Sequence, residues 1–168
     1  MREAMAIEPR PFFCGGEETM NIAFFLLPKQ DVVCLVHQAT LRQTLERMEH
    51  HRYTAVPVLD EKGHYMSTVT EGDLLWYMKN HPELSFDQLH KVTLSEVPMR
   101  MKNLSVRIDA NMEDLISLAK TQNFVPVVDD MNKFIGIVRR SEIIDYCEKL
   151  LIPGNGAGRG ETKAAKEA

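Results

Sequence analysis

Two short segments hold the residues best placed by type and spacing to do chemistry. Arg139 and Arg140 stand side by side at the start of a stretch with helical spacing, Ser141 to Leu150. Two guanidinium forks and the free N–H groups of a helix start would meet there, a combination that favours an anion and phosphate above all. Adjacent guanidinium groups repel unless a negative group stands between them, so the competing use is local pairing with Glu142 or Asp145. The second segment, Thr70-Glu71-Gly72-Asp73, sets a hydroxyl three residues ahead of a carboxylate. An ionised carboxylate accepts two hydrogen bonds well. The same spacing is a helix capping box, which needs no ligand.

Other constellations fail to assemble. Cys14, Cys34 and Cys147 have neither zinc-site nor Cys-x-x-Cys spacing and read as unpaired thiols of a reducing compartment, Cys34 packed in a strand. His50 and His51 are sequence neighbours and point apart on a helix, so no metal site is expected. No phosphate loop, dinucleotide turn, His-Glu-x-x-His helix or nucleophile elbow occurs, and nothing ties His37, Asp31 and Ser67 into one cleft, so the chain does not read as an enzyme. Its net charge of -4 and lack of a dense Lys/Arg run argue against nucleic acid. The longest apolar run, Ile22 to Leu27, cannot cross a bilayer, which implies a cytoplasmic location with no membrane partner. At 168 residues, 44% hydrophobic and 26% charged, one compact body is expected.

The elements that must position these residues come as an internal repeat. Thr54-Ala55-Val56-Pro57-Val58-Leu59-Asp60 returns as Asn123-Phe124-Val125-Pro126-Val127-Val128-Asp129, a shift of 69 that also carries Thr68 to Leu75 onto Ile137 to Ile144. The preceding helices align at 71, Leu41 with Met112 and Leu45 with Ile116, so copy two lacks two residues before its proline. Copy one reads as a strand at Val32 to Val36, a helix capped by Thr40 and Gln43 with Leu41, Leu45 and Met48 on one face, a strand at Ala55 to Leu59, a turn at Glu61 to Gly63, a strand at His64 to Val69 and a helix at Glu71 to Lys79. Copy two repeats the β-α-β-β-α order with Leu104 to Ile108, a helix from Met112 capped by Asn111, Val125 to Val128, Phe134 to Val138 and Ser141 to Leu150. Each unit leaves an apolar face that a second unit can bury, which predicts an α/β (α+β) module with a pseudo-twofold axis.

The expected organisation is a flexible leader over residues 1–19, motif one over 20–79, a linker over 80–93, motif two over 94–151 and a flexible tail over 152–168. In the linker, Leu84, Phe86 and Leu89 are available to lie against the body.

Ala55-Val56-Pro57-Val58 with Thr70-x-x-Asp73, and Phe124 to Asp129 with Gly136-Ile137-Val138-Arg139-Arg140, resemble the cystathionine β-synthase (CBS) domain pair over about Ile22 to Leu150. The resemblance implies a disc-shaped, commonly homodimeric pair, here joined through its helical face. It also implies two clefts for an adenine nucleotide, with AMP, ADP, ATP, S-adenosylmethionine and cyclic di-AMP as candidates and no required cofactor. Standalone bacterial pairs that bind cyclic di-AMP are similar in size and carry paired arginines near the same end of copy two.

By that resemblance Thr70 contacts phosphate or ribose and Asp73 receives the ribose hydroxyls, whereas copy two departs from the pattern with Arg139 and Glu142 in those places. The backbones of Thr54, Ala55 and Val56, and of Asn123, Phe124 and Val125, are expected to read the adenine edge. Tyr53 is a candidate cover for the ring, Phe124 reads as core, and Lys29 and Asp31, where the resemblance implies ligand contacts, read as a polar turn. The function that follows is a sensor signalling to a separate effector protein, with a ligand-free dimerisation or scaffold module as the alternative.

Overall fold

The computed structural model describes residues 21–101 and 103–151. The proposed leader and tail lie outside the described residues. Each copy builds a hairpin flanked by helices. In copy one, β2 (Leu35–Val36) runs parallel to β3 (Ala55–Leu59), and β3 pairs antiparallel with β4 (Tyr65–Thr70); α1 (Leu41–His51) and α2 (Glu71–Asn80) complete the unit. In copy two, β5 (Val106–Arg107) runs parallel to β6 (Phe124–Val128), β6 pairs antiparallel with β7 (Phe134–Arg139), and α3 (Met112–Ala119) and α4 (Arg140–Leu151) follow the same order.

Local signals account for these boundaries. Thr40 and Gln43 close a reciprocal box at the start of α1: the Thr40 N–H donates to Gln43 Oε1 at 3.1 Å and the Gln43 N–H to Thr40 Oγ1 at 3.2 Å. The two-residue deletion falls in the first helix of copy two, 8 residues long against 11 in copy one. The recurrent aspartates organise the hairpin turns. Asp60 Oδ1 accepts the N–H of Lys62 and His64, both at 2.8 Å, and Asp129 Oδ1 accepts those of Met131 and Lys133 at 2.9 and 2.8 Å. The left-handed turn position is Gly63 (φ 85) in one copy and Asn132 (φ 64) in the other. β2 and β5 reach only Val58–Leu59 and Val127–Val128, so Pro57 and Pro126 sit where their strands lack a second neighbour and the missing N–H goes unused.

The structure corrects three expectations. The first strand of each copy shrinks to two residues, Leu35–Val36 and Val106–Arg107: in copy one Lys29–Asp31 forms a 3-10 turn, and in copy two the Leu104 backbone bonds to the Gln122 side chain. Phe86 does not pack: it is exposed while Leu89 is buried and Leu84 partly so. Third, the apolar run at the start of copy one serves copy two. Its end forms β1 (Leu26–Pro28), antiparallel to β7, giving a four-stranded order β1-β7-β6-β5 beside the three-stranded β2-β3-β4, and Ile22 is buried in the core of copy two. A third cluster, Leu59, Phe124, Phe134 and Ile137, joins the copies.

Candidate functional site

A cavity of about 390 Å³ opens between the copies, of the size that holds a small ligand. Copy one supplies Tyr53, which follows α1, with Ala55 and Pro57 of β3; copy two supplies Asn123, Phe124, Arg139 and Arg140. Asp31, Val32 and Val33, on the approach to β2, complete one wall. Tyr53 reaches the cleft because α1 stops at Arg52 in the left-handed conformation (φ 55), and its ring stacks on His51 with centroids 5.4 Å apart.

The two arginines are held differently. Arg140 opens α4, with its N–H on the Asn123 carbonyl at 3.0 Å, and its guanidinium donates to the Gln122 carbonyl at 2.9 Å and Asn123 Oδ1 at 2.6 Å. Arg139 donates to Glu142 Oε1 at 2.6 Å, half-exposed. Of the two uses open in the sequence, the local pairing is present at Arg139, and both arginines line the cavity. An exposed pair of this kind contributes little stability, so an incoming phosphate can replace Glu142.

Thr70 and Asp73 are not among the residues lining this cavity. Asp73 is 4% exposed. Its Oδ2 accepts the Thr70 N–H at 3.0 Å and hydroxyl at 2.7 Å, its own N–H donates to Thr70 Oγ1 at 3.1 Å, and its Oδ1 accepts the Arg100 N–H at 3.1 Å. The carboxylate therefore caps α2 and ties down the chain that leads into copy two. Thr54 and Asn123 each spend their carbonyl on the first N–H of the following helix, at 3.1 Å from Glu71 and 3.0 Å from Arg140, and Val56 and Val125 are core. Of the expected site residues, the cavity gathers Ala55, Asn123, Phe124, Arg139 and Arg140; Phe124 also belongs to the cluster between the copies. Sequence reasoning missed the walls made by Leu27 and Ile137, because a strand crossing from one copy to the other leaves no local signal.

Burial pushes the Cys34 thiol up to about 11, which makes it unreactive. Among the described residues no cluster of His, Cys, Asp or Glu could hold a metal ion, and no helix is long and apolar enough to cross a membrane.

The CBS domain family model matches residues 25–80 and again 94–149, well over half of the chain. A CBS domain-containing protein of Dictyostelium discoideum is 29% identical over 121 residues, covering 68% of this chain and 83% of its own length. The Listeria monocytogenes protein CbpB, solved in complex with cyclic di-AMP, superposes with a TM-score of 0.68 at 20% identity, covering 78% of this chain and 97% of CbpB. The protein CBSX2 in complex with AMP superposes with a TM-score of 0.61 at 22% identity, covering 79% of this chain and 98% of its own.

Proposed function

The chain belongs to the CBS domain family, and from that premise we propose that it is a regulatory module that binds an adenine nucleotide in the cleft between its two copies. The observation that carries this reading is the 390 Å³ cavity lined by both Arg139 and Arg140 and by Tyr53. A guanidinium pair at a helix start suits phosphate, and an aromatic face suits a base. AMP and cyclic di-AMP lead the candidates, since structural neighbours are solved with them. ADP, ATP and S-adenosylmethionine belong in the same test. Ligand binding across two copies joined by a shared strand changes their relative rigidity, and a separate effector protein reads the result. The buried Cys34 thiol fits a reducing, cytoplasmic setting.

Calorimetry with these five compounds and adenosine tests the reading. At least one nucleotide should bind, and Arg140→Ala should weaken it by about tenfold or more while leaving adenosine nearly unchanged. Heat from none of them would end the proposal and leave the ligand-free scaffold.

One observation favours a homodimer under either reading. Leu75 of α2 and Ile144 of α4, equivalent by the shift of 69, are both 55% exposed, and Trp76 and Leu151 are exposed as well. Apolar side chains at matching positions of two helices suit an interface between copies of the chain. Sedimentation should give twice the chain mass, and a double Leu75→Glu, Ile144→Glu variant a monomer; a wild-type monomer at tens of micromolar, roughly the concentration at which stable dimers persist, would refute it.

A further inference from the structure

The internal repeat gives each residue of the open cleft a counterpart in the other copy, and these counterparts, which can be named, mark the place of a second cleft. Both first helices end with an N–H turned back onto their last turn, Tyr53 to the Met48 carbonyl at 3.0 Å and Gln122 to that of Leu118 at 2.9 Å. The next residues, Thr54 and Asn123, hold the starts of α2 and α4 with their carbonyls. Gln122 therefore stands where Tyr53 stands. In the parallel pairs Leu35 meets Val58 and Val106 meets Val127, so Leu104 stands where Val33 stands. Tyr53 and Val33 both line the open cleft.

Their counterparts are closed on each other. Gln122 is 4% exposed; its Oε1 accepts the Leu104 N–H at 2.7 Å, and its Nε2 donates to the Leu104 carbonyl at 3.1 Å and, less directly, to that of Phe124 at 3.4 Å. A carboxamide offers an acceptor and a donor side by side on a planar edge, the same pair a 6-aminopurine offers with a ring nitrogen and its exocyclic amine. Such a buried amide is stable only when both functions are satisfied, and here they are. The open cleft has no equivalent. Tyr53 stacks on His51, and among the described residues no turn or side-chain bond takes up the Val33 backbone. The copy-one counterparts of Arg139 and Arg140 are Thr70 and Glu71, so neither arginine is repeated at the second cleft.

We infer that the second cleft is an adenine-nucleoside site filled by the chain's own Gln122, so that one nucleotide binds per chain and a second ligand enters only when that carboxamide is removed. The inference rests on the nucleotide reading of the open cleft. Titration calorimetry of the full chain with AMP and adenosine tests it, with circular dichroism melting to establish folding. Wild type should take one AMP. Gln122→Ala should take two, and the added site should bind adenosine as well as AMP. Two sites in wild type, or one in a folded Gln122→Ala, would overturn the inference and leave the nucleotide reading standing. If wild type binds neither AMP nor adenosine, the wider nucleotide panel decides that reading separately; adenosine binding by Gln122→Ala would still support the self-filled cleft, and silence would end it. If Gln122→Ala does not fold, Tyr53→Gln probes the geometry from the other side. It should close on Val33 and weaken AMP by about tenfold or more, and unchanged affinity would overturn the inference.

Discussion

The two hairpins receive their incoming segments in opposite ways. Against β7 the chain lies so close that a Cβ on Gly136 would stand 2.2 Å from the Leu27 carbonyl oxygen, and β1 joins the sheet as a full neighbour. The equivalent residue on β4 is Ser67, whose hydroxyl points at the Met99 sulfur, and the segment there carries Pro98 where the other has Leu27. A side chain on the hairpin keeps that segment out of the sheet, held instead by Asp73 and by Tyr65, whose hydroxyl donates to the Asn103 carbonyl at 3.1 Å. One glycine thus decides which copy gains a strand. That strand in turn brings Asp31 to Val33 to the open cleft.

The comparison breaks most sharply at that glycine. Gly136→Ala should expel β1 and cost about 3 kcal/mol or more, the upper range for overpacking, because the obstructing atom is backbone. Ser67→Ala should stay within about 1 kcal/mol. Urea unfolding of the two variants measures the contrast, and equal losses would show that β1 does not depend on the close approach.

Next in size is the contrast between the carboxylate of copy one and the arginines of copy two. Asp73→Asn removes an acceptor for Thr70 and should cost about 0.5 to 2 kcal/mol of stability, with AMP affinity unchanged at the open cleft. Arg139→Ala should do the reverse, weakening AMP and its salt dependence while leaving the melting temperature nearly fixed, since the bond it loses to Glu142 is exposed. Melting and titration on the same samples separate the two roles, and a loss of affinity in Asp73→Asn with intact stability would restore the ribose role that the family resemblance implies.

These contrasts also explain what the sequence could reveal. The hairpins and second helices were legible because proline, aspartate and turn signals recur at one spacing, and both strands of each hairpin are local. The arginines were legible because their chemistry does not depend on distant partners. The features without a local signal depend on chain segments remote in sequence: β1 crosses to the other copy, and Gln122 finds Leu104 eighteen positions earlier. Thr70 and Asp73 were equally compatible with a cap and a ribose clamp, since spacing alone fixes the first and only the surroundings exclude or admit the second.

The smallest effect lies in the hairpin turns, whose aspartates accept the same pair of backbone N–H groups in both copies. Asp60 faces His64, with Nδ1 and Oδ2 2.7 Å apart, where copy two has Lys133 after Asp129. The hydrogen bond to His64 holds the Asp60 carboxyl down at about 2, below the usual carboxylate range. A depressed carboxylate stabilises the fold in full above its ordinary value of about 4, and that contribution fades as pH falls through about 2. Asp60→Asn keeps the Oδ1 acceptor for the turn and removes only the charge. Its urea midpoint should therefore lie slightly below wild type at pH 5, and the gap should narrow as the solution is taken toward pH 2. A gap that stays constant over that range would mean that the His64 contact adds nothing beyond the turn that Asp129 makes without it.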